Sequence, residues 1–386
     1  MGVLVTSAHS AKSLVVTRSL GRNGIDVTTS DYTKLAPTYY SKYSKDHFVY
    51  PHPIENSESF INCILKNVKK NNYEALIPVN SEETYLIAKY KHKFTPYLKV
   101  PLHDYDSIMR ANDKGELLKI AEDIDIPIPK TYNLNNMSEI KQVAEKLNYP
   151  AVIKLKNTKS SIGLSYVHSK EEFISKYVET VSNFHLSASN LPIVQEYIPG
   201  DGYGVSALFN CGDPRAIFTH KRLREYPSSG GPSTCRISTE HKEMEKIAVK
   251  ILKYLNWHGV AMVEFKLDSR TNKPYVIEIN PRFWGSVNQA VAAGVDFPYL
   301  LYQMAVDGDV KPVFNYKMGV KTRFLINDFR SLSDILKNEP NKIPTLMSFS
   351  HFFGKNLYYD TLSFDDPIPG MLFYPFEIKK LWHRLK

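Results

Sequence analysis

The chain has 386 residues, 43% hydrophobic and 23% charged, a soluble globular balance that argues against disorder, collagen and low-complexity repeats. That length suggests two or three domains. Lys and Arg number 49 against 40 Asp and Glu, and the resulting +9 suits an anionic small substrate, nucleic acid or an anionic membrane surface alike. The three cysteines, Cys63, Cys211 and Cys235, are widely spaced and free of CxxC or Cys/His grouping, which argues against a disulfide framework or a zinc knuckle.

In chain order, the first hundred residues alternate strands and helices. Strands are predicted at Val3–Thr6, Asp26–Ser30 and Ala75–Val79, and helices at Ala11–Asn23, Ser57–Lys70 and Glu82–Lys91. A Tyr-rich loop (Tyr39, Tyr40, Tyr43) lies between the second strand and the second helix. Such alternation predicts a parallel sheet with helices on its faces. The first turn, Ser7-Ala-His-Ser-Ala-Lys-Ser, lacks the GxGxxG of a dinucleotide site, so this Rossmann-like unit is expected to wall a substrate cleft instead. No secretory signal is read at the start, no apolar stretch is long enough to span a bilayer, and the cytoplasm is the expected compartment.

A helix over Asp113–Asp123 meets Ile126-Pro-Ile-Pro129, a stiff stretch predicted to be a hinge. A small unit from about 130 to 192 follows, with strands Ala151–Leu155 and Leu164–His168 and helices Ser138–Leu147 and Lys170–Val181. The strand Ile193–Tyr197 leaves it. Long strands are then predicted at Tyr203–Asn210, Ala216–Tyr226, Gly259–Leu267 and Tyr275–Asn280, with a helix over Thr239–Asn256. Apolar helices at Ser286–Ala293 and Pro298–Asp307 precede an aromatic-rich end, with a strand at Val320–Ile326 and a helix near Leu332–Lys337.

Four features of this order carry chemistry. Lys154 sits inside the buried strand Ala-Val-Ile-Lys-Leu, where a lysine presents a compact charge to phosphate oxygens. The loop to Gly163, with Ser160 and Ser161, offers hydroxyls and N–H groups that can fold over phosphates. The segment Gln195-Glu196-Tyr-Ile198 offers strand backbone to an adenine edge. Glu264 and the pair Glu278 and Asn280 lie on neighbouring strands, and alternation puts Glu278 and Asn280 on one face. Two carboxylates and an amide oxygen suit Mg²⁺. Each feature alone also fits a solvated strand or an ordinary turn; their order and spacing favour function.

Together these residues, from about Asn112 to Asp307, resemble the ATP-grasp superfamily, in the style of carbamoyl-phosphate synthase large chains and biotin carboxylase. The resemblance implies an α/β and α+β chain: a preATP-grasp Rossmann-like domain over 1–111, a two-lobed ATP-grasp domain over 112–310 and a C-terminal extension over 311–386. It implies ATP and Mg²⁺, with Mn²⁺ as a substitute. Asn112-Asp-Lys114 resembles the entry motif and makes Lys114 a nucleotide contact. Asp201 stands where a ribose carboxylate is expected, and Arg282 where an arginine binds phosphate or an intermediate. The segment from His220 to Thr234 resembles the arginine and Gly-Gly loop of carboxylate–amine ligase-like members. Read as a strand, it places His220, Arg222 and Arg224 on one face, with Arg222 and Arg224 as stabilisers of an acyl phosphate.

The function expected from this resemblance is ATP-dependent ligation of a carboxylate to an amine. The rival enzymatic reading uses the same nucleotide site with another acceptor, such as bicarbonate or a thiol, or follows carbamoyl-phosphate synthase. A rival of another class is a non-catalytic nucleotide or anionic-surface binding protein. For that rival, the basic end 376–386 carries Phe376, Ile378, Leu381, Trp382 and Leu385 on one helical side, also readable as a helix docked on its own domain. Small-molecule substrates are expected, nucleic acid is not, and a homodimer is among the expectations because many relatives pair.

Overall fold

The computed structural model describes residues 2–156, 163–228, 230–338 and 342–385. The first unit runs β1 (Gly2–Val5), α1 (Ala11–Arg22), β2 (Asp26–Asp31), a 3₁₀ turn at Pro37–Tyr40, β3 (Ser44–Val49), α2 (Ser57–Lys70) and β4 (Tyr73–Ile77). It continues through α3 (Ser81–Lys89), α4 (Lys91–Phe94), α5 (Tyr105–Asn112) and α6 (Lys114–Asp123). The sheet is parallel in the order β3-β2-β1-β4. Its central strand β1 is buried on both faces because helices cover both, which is why Val3-Leu-Val reads as a continuous apolar run. Ser10, Asn56, Asp104 and Asp113 cap α1, α2, α5 and α6, each side chain accepting a backbone N–H of the first turn. Two elements were not expected. The edge strand β3, Ser-Lys-Asp-His-Phe-Val, has no apolar alternation to announce it, and the short α5 fills what reads as a connector.

The second unit contains β5 (Thr131–Asn133), α7 (Ile140–Lys146), β6 (Ala151–Lys154), β7 (Ser165–Val167), α8 (Lys170–Asn183) and β8 (Ile193–Glu196). Its antiparallel sheet, ordered β5-β8-β6-β7, packs on α7 and α8 around a core of its own that includes Ile153, Phe173, Tyr177 and Val194. Ser160 and Ser161 lie outside the described residues.

The largest sheet is built from β9 (Gly200–Asn210), β10 (Asp213–Glu225), β11 (Ser233–Ser238), then, after α9 (Lys242–Tyr254), β12 (Gly259–Asp268) and β13 (Pro274–Asn280). Helices α10 (Val287–Ala292) and α11 (Phe297–Asp307) follow, then β14 (Lys321–Arg323), α12 (Leu325–Asn338), α13 (Lys342–Phe349), β15 (Leu357–Tyr359) and α14 (Pro367–Leu385). The order is β13-β12-β9-β10-β11-β14-β15, antiparallel except for the last pair. Two apolar clusters join this sheet to the first unit: one includes Phe60, Phe209 and Trp257, the other Val3, Phe218, Trp284 and Phe297.

Residues beyond 311 therefore add two strands to the central sheet. They also clamp the first unit. Buried Asp366 accepts from Arg18 Nε at 2.8 Å, Ser41 Oγ at 2.7 Å and Lys42 N at 3.0 Å. In α14, Phe373 is buried and Ile378 is exposed, and the side chains from 379 onward are outside the described ones. Among the described residues no helix is long and apolar enough to cross a membrane.

Candidate active site

A cleft of about 410 Å³ opens where the three sheets meet. Its floor is one face of the large sheet, and pairing across the strands explains which side chains reach it. Directly opposed residues in an antiparallel pair share a face. Glu278 opposes Glu264, Glu264 opposes Gly204, and Gly204 opposes His220. Two residues further along β10, Arg222 opposes Arg236 on β11. The result is a transverse row: Glu278, Glu264, a glycine, then Arg222 and Arg236. The glycine is required by close approach. A Cβ on Gly204 would stand 2.4 Å from the His220 ring, and His220 is itself buried in the floor.

At the acidic end, the Asn280 amide donates to both carboxylates, at 2.9 Å to Glu264 and 3.3 Å to Glu278, so the two lie side by side. Lys114, entering from α6, stands 3.6 Å from Glu278. Lys154, at the end of β6, donates to Gln195 Oε1 at 2.7 Å, and Gln195 in turn donates to Thr131. Burial lowers the Lys154 pKa to about 8, with Glu278 pulling it back up. Arg222 pairs with Glu264 and, at 3.3 Å, with Glu225. Burial alone would lower the Arg222 pKa, but Glu264 and Glu225 more than offset it and raise it. Burial raises the pKa of Glu264, opposed by Arg222 and reinforced by Glu278. Burial also drives the His220 pKa well below the usual imidazole range, so His220 is neutral.

These groups fit a hard divalent cation. Among the described residues no three His, Cys, Asp or Glu side chains gather as a metal set; here the third donor is an amide. Glu264 and Glu278 are adjacent oxygen donors, and rotation of the Asn280 amide exchanges its NH₂ for its oxygen, two orientations separated only by hydrogen bonding.

Arg282 follows Asn280 and Pro281 and donates to Asn280 Oδ1 at 2.9 Å, to the Phe283 carbonyl at 2.8 Å and to Ser81 Oγ of the first unit at 2.6 Å. It lines both the main cleft and a second cavity of about 320 Å³ at the carboxyl ends of the parallel strands, beside His9, Asn80 and Ser81. His9, expected to be an ordinary loop residue, is held there by Asp31, which accepts from its backbone N and meets its Nδ1, each at 2.7 Å.

The structure thus brings Lys114, Lys154, Glu196, Ile198, Arg222, Glu264, Glu278, Asn280 and Arg282 to one cleft. Other expected residues lie elsewhere. Gln195 stands behind Lys154 as a support, because its backbone is paired on both sides, to β5 and β6. Asp201 forms an ion pair with Lys221 at 2.6 Å and lines a neighbouring shallow cavity. Gly163 packs against Leu155 at a φ of 70°, and a Cβ there would stand 2.4 Å from that side chain.

Arg224 is a correction. A bulge between Arg222 and Arg224 breaks the alternation, so Arg224 opposes Cys235 and faces away from Arg222. There both its Nε and Nη2 donate to Asp328, each at 2.7 Å.

Cleft residues that the sequence reading missed include Lys12, Tyr166, Tyr197, Arg236, Asn327 and Asp360. For Arg236 a signal existed. Ser-Thr-Cys-Arg-Ile-Ser directly after Gly-Gly-Pro alternates like a strand, and the Gly-Gly turn is a tight one. A Cβ on Gly231 would overlap the Tyr226 carbonyl oxygen at 1.9 Å. Asp360 carried no local signal.

Residues 111–286 match the family described as ATP-grasp domain. The carbamoyl phosphate synthase large chain, N-terminal section, of Methanopyrus kandleri is 23% identical over 296 residues, covering 69% of this chain and 51% of that protein. The chain thus spans about half the length of that relative. A D-aspartate ligase from Enterococcus faecium is 24% identical over 353 residues, covering 85% of this chain and 83% of that one. A solved biotin carboxylase–β-γ-ATP complex from Campylobacter jejuni superposes with a TM-score of 0.68 at 15% identity, over 83% of this chain and 74% of that chain. That likeness is one of fold. The cleft geometry and the superposed fold agree with the match of residues 111–286 to the ATP-grasp domain family.

Proposed function

We propose that the chain is an ATP-dependent ligase that activates a carboxylate as an acyl phosphate and joins it to an amine. One observation carries this reading: two lysines from different units, Lys114 and Lys154, meet two adjacent carboxylates and an amide at one end of a cleft that continues to Arg222 and Arg282. The similarity to a D-aspartate ligase along most of both chains supports it.

In this reading Lys154, steadied by Gln195, and Lys114 contact the phosphates, while Glu196 to Ile198 border the base. Glu264, Glu278 and Asn280 hold Mg²⁺, or Mn²⁺ in its place; the bound ion neutralises charge on the transferring phosphoryl group. A substrate carboxylate oxygen attacks the γ-phosphorus and ADP leaves. Arg222 and Arg282 stabilise the acyl phosphate through planar, charged hydrogen bonds. The amine nitrogen then attacks the carbonyl carbon, the bond to the phosphate oxygen breaks, phosphate departs with the electron pair, and the nitrogen loses a proton.

The small unit over 130–192 closes on the nucleotide about the 126–129 linker and excludes water that would hydrolyse the intermediate. The proposal extends to the setting: a cytoplasmic protein acting on small molecules, pairing as a homodimer, with weak contact to anionic surfaces through its basic C-terminal end. The test is calorimetry of ATP with Mg²⁺ on the whole protein, wild type and Lys154→Ala, followed by ADP release across carboxylate and amine pools. Micromolar uptake lost in the variant is expected. No uptake by the folded wild type removes the reading.

A further inference from the structure

Beyond Arg222 the cleft continues to an end built from residues that lie outside the 111–286 match or were unread in the sequence. Arg236 on β11 is 1% exposed. Its Nε donates to Thr322 Oγ1 at 2.9 Å, its Nη1 to the Ser233 carbonyl at 3.0 Å, and its Nη2 to Asp360 Oδ2. These three bonds use three of the five guanidinium N–H groups. Asp360, just past β15, is 4% exposed, and its second oxygen, Oδ1, is buried with no hydrogen-bond partner among the described residues. Both side chains line the cleft. An isolated buried carboxylate oxygen is costly to leave unmade, so a purely structural pair is a poor account of it.

The wall therefore offers, side by side, spare guanidinium donors and an unmet carboxylate acceptor. A ligand with a single charge leaves one of them without a charged partner. A small zwitterion satisfies both, its carboxylate taking N–H groups of Arg236 and its ammonium meeting Asp360 Oδ1. We propose that Arg236 and Asp360 form the recognition site for the amine-bearing substrate, and that this substrate is of the α-amino acid class. The assignment rests on the ligase reading above for its place in the reaction. It gives residues beyond 311 a role: β14 sets Thr322 against Arg236 and β15 brings Asp360 to the cleft wall opposite the nucleotide end, so the same scaffold that binds ATP takes its specificity from the chain's C-terminal part.

The test uses the full-length protein with the common L-α-amino acids and their D-counterparts as probes, one at a time. Each is compared with its amide, which lacks the carboxylate, and with its deaminated acid. Binding is read by calorimetry without nucleotide, and the KM for the amino acid by ADP release with ATP and Mg²⁺. At least one amino acid should bind the wild type, with both analogues about tenfold weaker or worse, the size expected for losing a charged hydrogen bond. Asp360→Asn keeps an oxygen for Arg236 but loses the charge. It should raise the dissociation constant and KM for the amino acid about tenfold or more while leaving ATP–Mg²⁺ affinity unchanged.

Equal binding of amino acid and amide, no response to any amino acid, or an Asp360→Asn protein that responds as wild type overturns the assignment. So does a variant that loses amino-acid and ATP–Mg²⁺ affinity in parallel, since that marks a structural pair. If the variant does not fold, the analogue series on the wild type decides alone. Absence of ATP–Mg²⁺ binding in a wild type that still discriminates amino acid from amide sinks the ligase reading and leaves this site standing.

Discussion

At the β13 edge of the large sheet, Lys114 stands 3.6 Å from Glu278, with side-chain exposures of 12% and 33%. Beyond β11, on the sheet's other face, Asp328 is fully buried. It accepts from Arg224 through both oxygens and from Arg323 Nε, all at 2.7 Å, and from Thr234 Oγ1 at 2.9 Å. Both clusters pair carboxylates with cations, and Arg224 of the second was expected, like Lys114 of the first, to serve chemistry. The first is loosely paired and open, so a ligand can replace its internal bonds at little cost. In the second both Asp328 oxygens are met and the carboxylate is out of water, so its charge is committed to holding α12 onto the sheet. Pairing geometry and burial, rather than charge, separate a site from a brace.

The comparison can be broken at the brace first. Asp328→Ala strands the buried Arg323 guanidinium and the part-buried Arg224 one and should cost about 3–5 kcal/mol of stability, read as a shift in denaturant midpoint. ATP–Mg²⁺ affinity of the folded fraction should be unchanged. A loss below about 1 kcal/mol would make Arg224 and Arg323 free charges, and the distinction would fall. At the open cluster the opposite pattern is expected. Glu278→Ala should lower ADP release by about 100-fold or more, the size of removing one electrostatic stabiliser, with little change in melting temperature. A large melting shift would make Glu278 structural.

A pH series sharpens the contrast further. The Lys154 pKa, lowered to about 8, leaves the ammonium charged below that value and neutral above it. Phosphate contact favours the charged form, so ATP–Mg²⁺ affinity should hold below pH 8 and fall about tenfold per unit above it. Lys154→Arg should move the fall to much higher pH. An affinity flat from pH 7 to 10 in the wild type would show that this ammonium does not meet the nucleotide.

Much of the fold was legible because its signals are local. Ser57–Lys70 has an apolar stripe and a cap, and β12 and β13 are apolar runs broken by single polar residues, so Glu264, Glu278 and Asn280 could be placed on neighbouring strands from the sequence. The polar edge strand β3 and the three-residue β15 bury too little to leave a pattern. Arg224 was misplaced because the bulge between it and Arg222 reverses its face, and a bulge of this kind has no residue signature here. The Arg236–Asp360 pair joins positions 124 residues apart, and no spacing rule reaches that far.

What the sequence determined alone was the order of the main strands and helices, the lysine-bearing strand at 151–155, the Glu-x-Asn-Pro-Arg run, and through them the ATP-grasp resemblance. These follow from side-chain periodicity and backbone preference within a few residues. Only the tertiary structure decided which cations face the cleft, that Gln195 supports Lys154, and that the C-terminal part completes the far wall. Those depend on strand register and on burial shared between distant segments, which exist only once the sheets have closed on one another.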